Sequence, residues 1–234
     1  MNELLNAILS EPLLMDLSPT FTRLKSLVAT DHDDCSIAIY VEPPDASGLY
    51  QILPVLQEKL DCERKEDVRS SDYATLTGVG LKHLKATSSA VDDIRDEPED
   101  SPELYADIQY RMFVVDVLRP VGYCCFTVKV TPWEGFEVDL DEVWLEAPYR
   151  GRGIGSALAH KVAAMAMFSL RELDAKAFER LDEPLELPIV VGGDVYSKSG
   201  EQFVESVADI LHDEIGLSDW QALSTGSFIW DARW

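Results

Sequence analysis

Three apolar segments follow one another in the second half of the chain, at residues 109–118, 122–130 and 138–145. Each is rich in valine, phenylalanine, tyrosine or cysteine, and short turns that contain proline separate them. Runs of this length and composition are typical of β-strands. Because consecutive strands joined by short turns pair antiparallel, the pattern predicts an antiparallel meander.

The apolar period changes after the third segment. Leu158, Val162 and Met165 recur at helical intervals with small alanines between them, which predicts a helix over residues 156–173. Three further elements follow: a buried strand at 188–191, a helix at 200–215 and a last strand at 228–230. Since a strand reached through a helix usually runs parallel to the strand before it, the order predicts an α/β fold with a mixed, mostly antiparallel sheet flanked by helices.

The first hundred residues show a weaker pattern. Its segments are short amphipathic helices at 2–17, a strand at 37–41, a helix at 50–60 and a mixed segment at 73–84. Residues 92–107 are rich in acidic residues and contain two prolines, which predicts an exposed loop. We divide the chain into an N-terminal region, 1–70, and a main domain, 71–234.

Apolar residues make up 46% of the chain, enough for a sizeable core, and no apolar run is long enough to cross a bilayer. The chain also starts without a charged and then apolar leader. Cys124 and Cys125 are adjacent in a predicted strand, so we expect buried thiols that point to opposite faces. The other cysteines and the histidines lack metal-site spacing, so we expect no metal and a place in the reducing cytoplasm.

The composition is strongly acidic, with 43 acidic residues against 20 basic ones and a formal net charge of −23. Such a surface repels nucleic-acid phosphates and anionic lipid, so we expect neither nucleic acid nor a membrane as a partner. The same field attracts cationic ligands, although an acidic composition also serves solubility alone.

A glycine-rich loop, Arg-Gly-Arg-Gly-Ile-Gly at residues 150–155, lies between the third predicted strand and the helix. Glycines at alternate positions allow several N–H groups to converge, and the helix that follows adds the positive end of its dipole. This geometry predicts a site for a phosphate or diphosphate. The spacing excludes a Walker loop, and a dinucleotide fingerprint would need glycine where Ser156 stands, which makes it the lesser alternative.

Residues 143–158, Val-Trp-Leu-Glu-Ala-Pro-Tyr-Arg-Gly-Arg-Gly-Ile-Gly-Ser-Ala-Leu, resemble the acetyl-CoA signature of the GNAT superfamily of N-acetyltransferases. Arg150, Gly153 and Gly155 occupy its fixed positions, and Leu145 occupies its strand position. The order of strands and helices is also similar to the GNAT core. The resemblance implies a GNAT-like fold with an N-terminal extension, part of which builds the acceptor side, and acetyl-CoA as the cofactor.

The resemblance also implies which residues contact the cofactor. Leu145 and Glu146 lie where the family binds the pantetheine arm, and the N–H of Leu145 is the expected oxyanion donor. The diphosphate is expected on the main-chain N–H groups from Arg150 to Ser156, with added charge from Arg152 unless it pairs with Glu146. The full expected set is Leu145, Glu146, Arg150, Gly151, Arg152, Gly153, Ile154, Gly155 and Ser156.

The implied reaction is direct attack of an amine on the thioester. A protonated amine needs a base, and the third strand of the meander offers Asp139, Asp141 and Glu142. The family's catalytic glutamate falls on Asp139, with Glu142 as the alternative if a bulge shifts the register. Many members carry a tyrosine on the second helix; none is present there, so the expected proton donor is Tyr196, just before it.

We therefore expect an acyl-CoA-dependent N-acyltransferase, an enzyme that acetylates the amine of a cationic small molecule or a peptide. The missing tyrosine leaves an alternative, a GNAT-fold module of weak activity that binds CoA or a protein partner. The tail after the second helix is short, so the last edge of the sheet is either abbreviated or completed by a second chain, as in a homodimer.

Overall fold

The structure, a computed structural model, describes residues 24–25, 37–42, 53–70, 106–116, 119–131 and 135–233. The chain divides into two compact units, one of residues 1–52 and 104–234 and one of residues 53–103. Helix α1 (Leu53–Ser70) is the described part of the second unit and confirms the helix predicted near residues 50–60. Among the residues described, every helix is too short or too polar to span a lipid bilayer.

Several predictions for the first hundred residues concern segments that the structure does not describe. The helices at 2–17, the mixed segment at 73–84 and most of the acidic loop at 92–107 lie outside the described residues. The end of that loop, from Ala106, belongs to a strand. The division of the chain at residue 70 stays a prediction.

The first unit is built on a sheet with seven described strands that lie side by side in chain order. They are β1 (Leu24–Lys25), β2 (Ile37–Glu42), β3 (Ala106–Asp116), β4 (Arg119–Thr131), β5 (Gly135–Leu145), β6 (Leu185–Asp194) and β7 (Leu223–Arg233). Neighbours pair antiparallel from β1 to β5, and β6 and β7 are added parallel. The predicted mixed, mostly antiparallel sheet is confirmed.

β4 lies in the middle of the packed sheet, and residues 121–128 are all buried. Such a run of valine, cysteine and aromatic residues is typical of a strand covered on both faces. Cys124 belongs to the main hydrophobic core, whereas Cys125 is buried on the opposite face, since side chains alternate along a strand. The prediction of two buried thiols on opposite faces is confirmed.

The helices α2 (Ile154–Arg180) and α3 (Lys198–Gly216) pack against each other and cover the core face of the sheet. Each connects two parallel strands, and right-handed crossovers place both on the same face. The side chain of Ser197 caps α3 by accepting a hydrogen bond from the Gly200 N–H at 3.1 Å. Helix α2, which begins directly after the glycine loop, is thus packed against both α3 and the sheet.

Helix α2 extends to Arg180, past its predicted end at residue 173. The apolar period stops there because the next core-facing residue, Asp174, is charged. This residue is 7% exposed. Its carboxylate accepts hydrogen bonds from the main-chain N–H groups of Gln221, Ala222 and Leu223 at 2.8–3.2 Å. Asp174 thereby ties α2 to the start of β7.

Replacing Asp174 with alanine will destabilise the fold by about 3–5 kcal/mol, because buried N–H groups lose a charged acceptor. Asp174→Asn keeps one acceptor oxygen and will lower the free energy of unfolding by about 1–2 kcal/mol. Urea unfolding followed by circular dichroism measures both losses. Equal midpoints for the wild type and Asp174→Ala would show that this anchor contributes nothing.

Candidate active site

The glycine loop follows β5 through a short 3₁₀ turn at Ala147–Tyr149. Gly151 and Gly153 have φ angles of 70° and 76°, in the left-handed region that favours glycine. Gly153 is also the N-cap of α2 and offers the helix no side-chain cap, so the first N–H groups of the helix point into the loop. A Cβ placed at Gly151 or Gly155 would meet no atom within 4 Å. The loop thus combines main-chain donors with open space beside them, as an anion site requires.

β5 and β6 separate partway along β5. Their parallel pairing ends at Leu140 and Gly193, whereas β5 continues to Leu145 paired with β4. A Cβ on Gly193 would lie 2.7 Å from the Leu140 carbonyl oxygen, so glycine permits the last close approach before the strands separate. A bulge opposite β4 inserts Asp141 as an extra residue, which bends β5. The result is a cleft between the ends of the two strands.

The end of β5 presents main-chain groups to this cleft. The Glu146 N–H donates to the Val121 carbonyl of β4 at 2.9 Å. Because successive N–H groups of a strand point to opposite sides, the N–H and the carbonyl of Leu145 point away from β4. That carbonyl accepts a hydrogen bond from Arg150 Nε at 2.8 Å. This arrangement suits the predicted oxyanion role of the Leu145 N–H, which stays a prediction.

The other predicted cofactor residues divide between core and surface. Ile154 is 1% exposed and belongs to the core, so it offers its main chain alone. Arg152 and Ser156 are exposed. The guanidinium of Arg152 lies 5.5 Å from the ring centroid of Tyr149. The Glu146 carboxylate accepts a hydrogen bond from Arg119 Nη2 at 2.6 Å.

A cavity of about 30 Å³ lies in the cleft, among the ends of β5 and β6 and the start of α3, and it has room for a water molecule. Three acidic residues are among those that line it: Asp141, Glu142 and Asp194. Apolar side chains, among them Val143 and Phe203, complete the wall. The cavity can therefore hold a water beside residues of β5 and β6 that include three acids.

The surroundings of Asp141 raise the pKa of its carboxyl. Its Oδ2 accepts a hydrogen bond from Thr127 Oγ1 at 3.0 Å. Although the residue as a whole reaches solvent, desolvation of the carboxyl raises its pKa, and the charge of Asp139 adds to this, against opposing effects of Thr127 and Lys129. A carboxylate with a raised pKa is a stronger base than an ordinary aspartate, which suits proton abstraction.

Asp139, the first predicted base, lies in a charge network. One carboxylate oxygen accepts from Lys129 Nζ at 2.8 Å and the other from Arg233 Nη2 at 3.0 Å. Arg233 also pairs with Asp194 at 3.0 Å. With both oxygens held by cations, Asp139 is less suited to accept a proton than Glu142, which lines the cavity. The catalytic role of either residue stays a prediction.

Tyr196, the predicted proton donor, lies between β6 and α3 and is 64% exposed. The residues of α3 that line the cavity are Gly200, Phe203 and Val204, whose side chains cannot donate a proton. Cys124 lines it as well, and burial raises the pKa of this thiol well above its usual range. The sequence marks Cys124 as buried, but its place at the cleft follows from the separation of β5 and β6.

Comparisons with known proteins agree with this geometry. Residues 84–177 match the model of the acetyltransferase (GNAT) family, a range that includes β3 to β5, the glycine loop and most of α2. A segment of 47 residues is 36% identical to the thialysine N-ε-acetyltransferase of cattle, Bos taurus, and covers 20% of this chain and 28% of that protein. Together with the sheet, the separated strands and the glycine loop, the match identifies a domain similar to the GNAT family of acetyltransferases at residues 84–177.

Proposed function

We propose that this protein transfers the acetyl group of acetyl-CoA directly to a primary amine while both are bound. The observation that carries the proposal is the separation of β5 from β6 beside the glycine loop. This separation places main-chain donors for the thioester arm next to the N-terminus of α2, where a diphosphate can bind. Two reactants held in contact in this way need few further groups for reaction.

The residues of the loop fit a diphosphate. Gly151 and Gly153 hold the left-handed backbone, and open space beside Gly151 and Gly155 lets an anion approach the main chain. Arg150 and Arg152 supply positive charge in a chain whose net charge is −23. The pantetheine arm would then follow β5 into the cleft.

The reaction proceeds by proton transfer and substitution at the thioester carbon. A carboxylate of Asp141 or Glu142 takes a proton from the amine through a water, and the amine nitrogen attacks the carbonyl carbon. The oxyanion receives a hydrogen bond from the Leu145 N–H, an interaction worth about 3 kcal/mol. The C–S bond then breaks, and the departing thiolate takes a proton from Tyr196 or from solvent.

The acceptor that we propose is an amine on a flexible cation. Acidic residues line the cavity, and the acidic composition of the chain attracts positive charge. The relative in cattle is named for transfer to the ε-nitrogen of thialysine, so lysine-like amines form the first class to test. Polyamines and lysine-bearing peptides form the second.

A thiol-release assay with acetyl-CoA and a panel of amines tests this proposal. We expect release that depends on the amine and saturates with both substrates, with thialysine, lysine, a polyamine and a lysine peptide as the panel. The amine product, identified by mass spectrometry, must carry one added acetyl group. Absence of amine-dependent release with every acceptor would contradict the proposed enzyme.

A second function, that of a CoA-binding module of weak activity, has one observation in its favour. The side chains of α3 at the cavity are apolar or absent, and the Tyr196 ring is largely exposed. Calorimetric binding of acetyl-CoA without thiol release would support this second function. The cytoplasmic location, the lack of nucleic-acid and membrane partners and the homodimer stay predictions.

A further inference from the structure

Two side chains at the junction of β3 and β4 contact the turn that precedes the glycine loop. Asp116, the last residue of β3, accepts a hydrogen bond from the Tyr149 hydroxyl at 2.7 Å. Arg119, the first residue of β4, donates to Glu146 at 2.6 Å. Asp116 and Arg119 are themselves paired across the two strands. The junction therefore holds both ends of the turn from residue 146 to residue 149.

This turn carries the two arginines of the loop. The Tyr149 ring lies under the guanidinium of Arg152, 5.5 Å from its centroid, within the range of a cation–π contact. Arg150 donates to the carbonyl of Leu145, the residue before the turn. The Tyr149 hydroxyl is protonated at neutral pH, as in any ordinary tyrosine, and the bond to Asp116 raises its pKa further. A displacement of Tyr149 would thus displace Arg152.

We propose that Asp116 and Arg119 are positioning residues for the diphosphate of the donor. They hold the turn, and through Tyr149 the Arg152 guanidinium, in place before the anion arrives. An arginine that is already ordered loses less rotational freedom on binding, so its contact contributes more to affinity. The inference rests on the proposed function, because it assigns the diphosphate to this loop.

The Arg119–Glu146 contact is exposed and the Tyr149–Asp116 hydrogen bond is part-buried, and exposed ion pairs contribute little to folding stability. The Arg119 side chain is 65% exposed. Loss of the contacts should therefore change donor affinity more than it changes the melting temperature. This difference separates a positioning role from a merely structural one.

The test compares acetyl-CoA with S-acetylpantetheine, a donor that lacks the diphosphate. In Asp116→Ala, Arg119→Gln and Tyr149→Phe, we expect KM for acetyl-CoA to rise about 3- to 10-fold with kcat unchanged. KM for S-acetylpantetheine should not change. Asp116→Ala and Tyr149→Phe remove the same bond, so their effects should not multiply in the double variant. Asp116→Asn, which keeps an acceptor, should restore most of the affinity.

Arg171→Gln is the matched control for charge. It removes an exposed arginine of α2 that lies roughly 25 Å along the helix from Ile154, and KM for acetyl-CoA should stay at the wild-type value. An unchanged KM in Asp116→Ala and Arg119→Gln, or an equal rise for both donors, would overturn the proposal. If the wild type releases no thiol from either donor, the proposed enzyme fails, and calorimetric affinities of the same variants for CoA still test the positioning role.

Discussion

Replacing Gly153 with glutamate will abolish measurable binding of acetyl-CoA while the fold is retained. The backbone at position 153 has a φ of 76° and forms the N-cap of α2, where we place the diphosphate. A carboxylate there repels the diphosphate, and a side chain in the left-handed region adds strain of about 1–2 kcal/mol. Because the two effects add, we expect the affinity to fall by at least about 100-fold in isothermal titration.

Gly153→Gln separates the two effects, since it has the size of glutamate without the charge. We expect the glutamine variant to bind about 10-fold more weakly than the wild type, through strain and bulk alone. Circular dichroism and thermal unfolding report whether each variant folds. Gly155→Glu adds a charge without positive-φ strain, in open space beside the loop. Wild-type affinity in Gly153→Glu or in Gly155→Glu would contradict a diphosphate site at this loop.

The loop and the order of elements could be predicted because their signals are local. Gly151 and Gly153 adopt left-handed conformations, which glycine favours, and the helix begins directly after them. The meander follows from short turns and β-branched runs, and the parallel strand follows from the intervening helix. Each of these inferences needs a window of about 10–20 residues, which the sequence pattern supplies.

The choice among the acids of β5 could not be predicted, because it depends on contacts between distant segments. The bulge that inserts Asp141 opposite β4 is set by the register of two strands. One of the two cations that hold Asp139 is the guanidinium of Arg233, 94 residues away in the chain. In the same way, the contact of Asp116 with Tyr149 spans the whole meander. Such contacts are absent from any local pattern.

Replacing Asp141 with asparagine will lower kcat by about 100- to 1000-fold, if this carboxylate is the base. A base must be deprotonated to act, so activity is lost as the pH falls through its pKa. Because desolvation raises the pKa of Asp141, this loss begins at a higher pH than for an ordinary aspartate. In Asp141→Asn that titration disappears, and kcat/KM follows the ionisation of the amine alone. Profiles of kcat/KM over about pH 5–9 with acetyl-CoA and the best acceptor measure this difference.

Asp139→Asn is the matched control, the same chemical change two residues away. Asp139 is held by Lys129 and Arg233 outside the cavity, so we expect its variant to keep the acid limb of the profile and most of kcat. Glu142→Gln tests whether Asp141 and Glu142 act together. If the two carboxylates act through one water, their losses in kcat will not multiply in the double variant. If Asp139→Asn removes the acid limb and Asp141→Asn does not, the base is Asp139, as the family resemblance implies, and Asp141 is not the base.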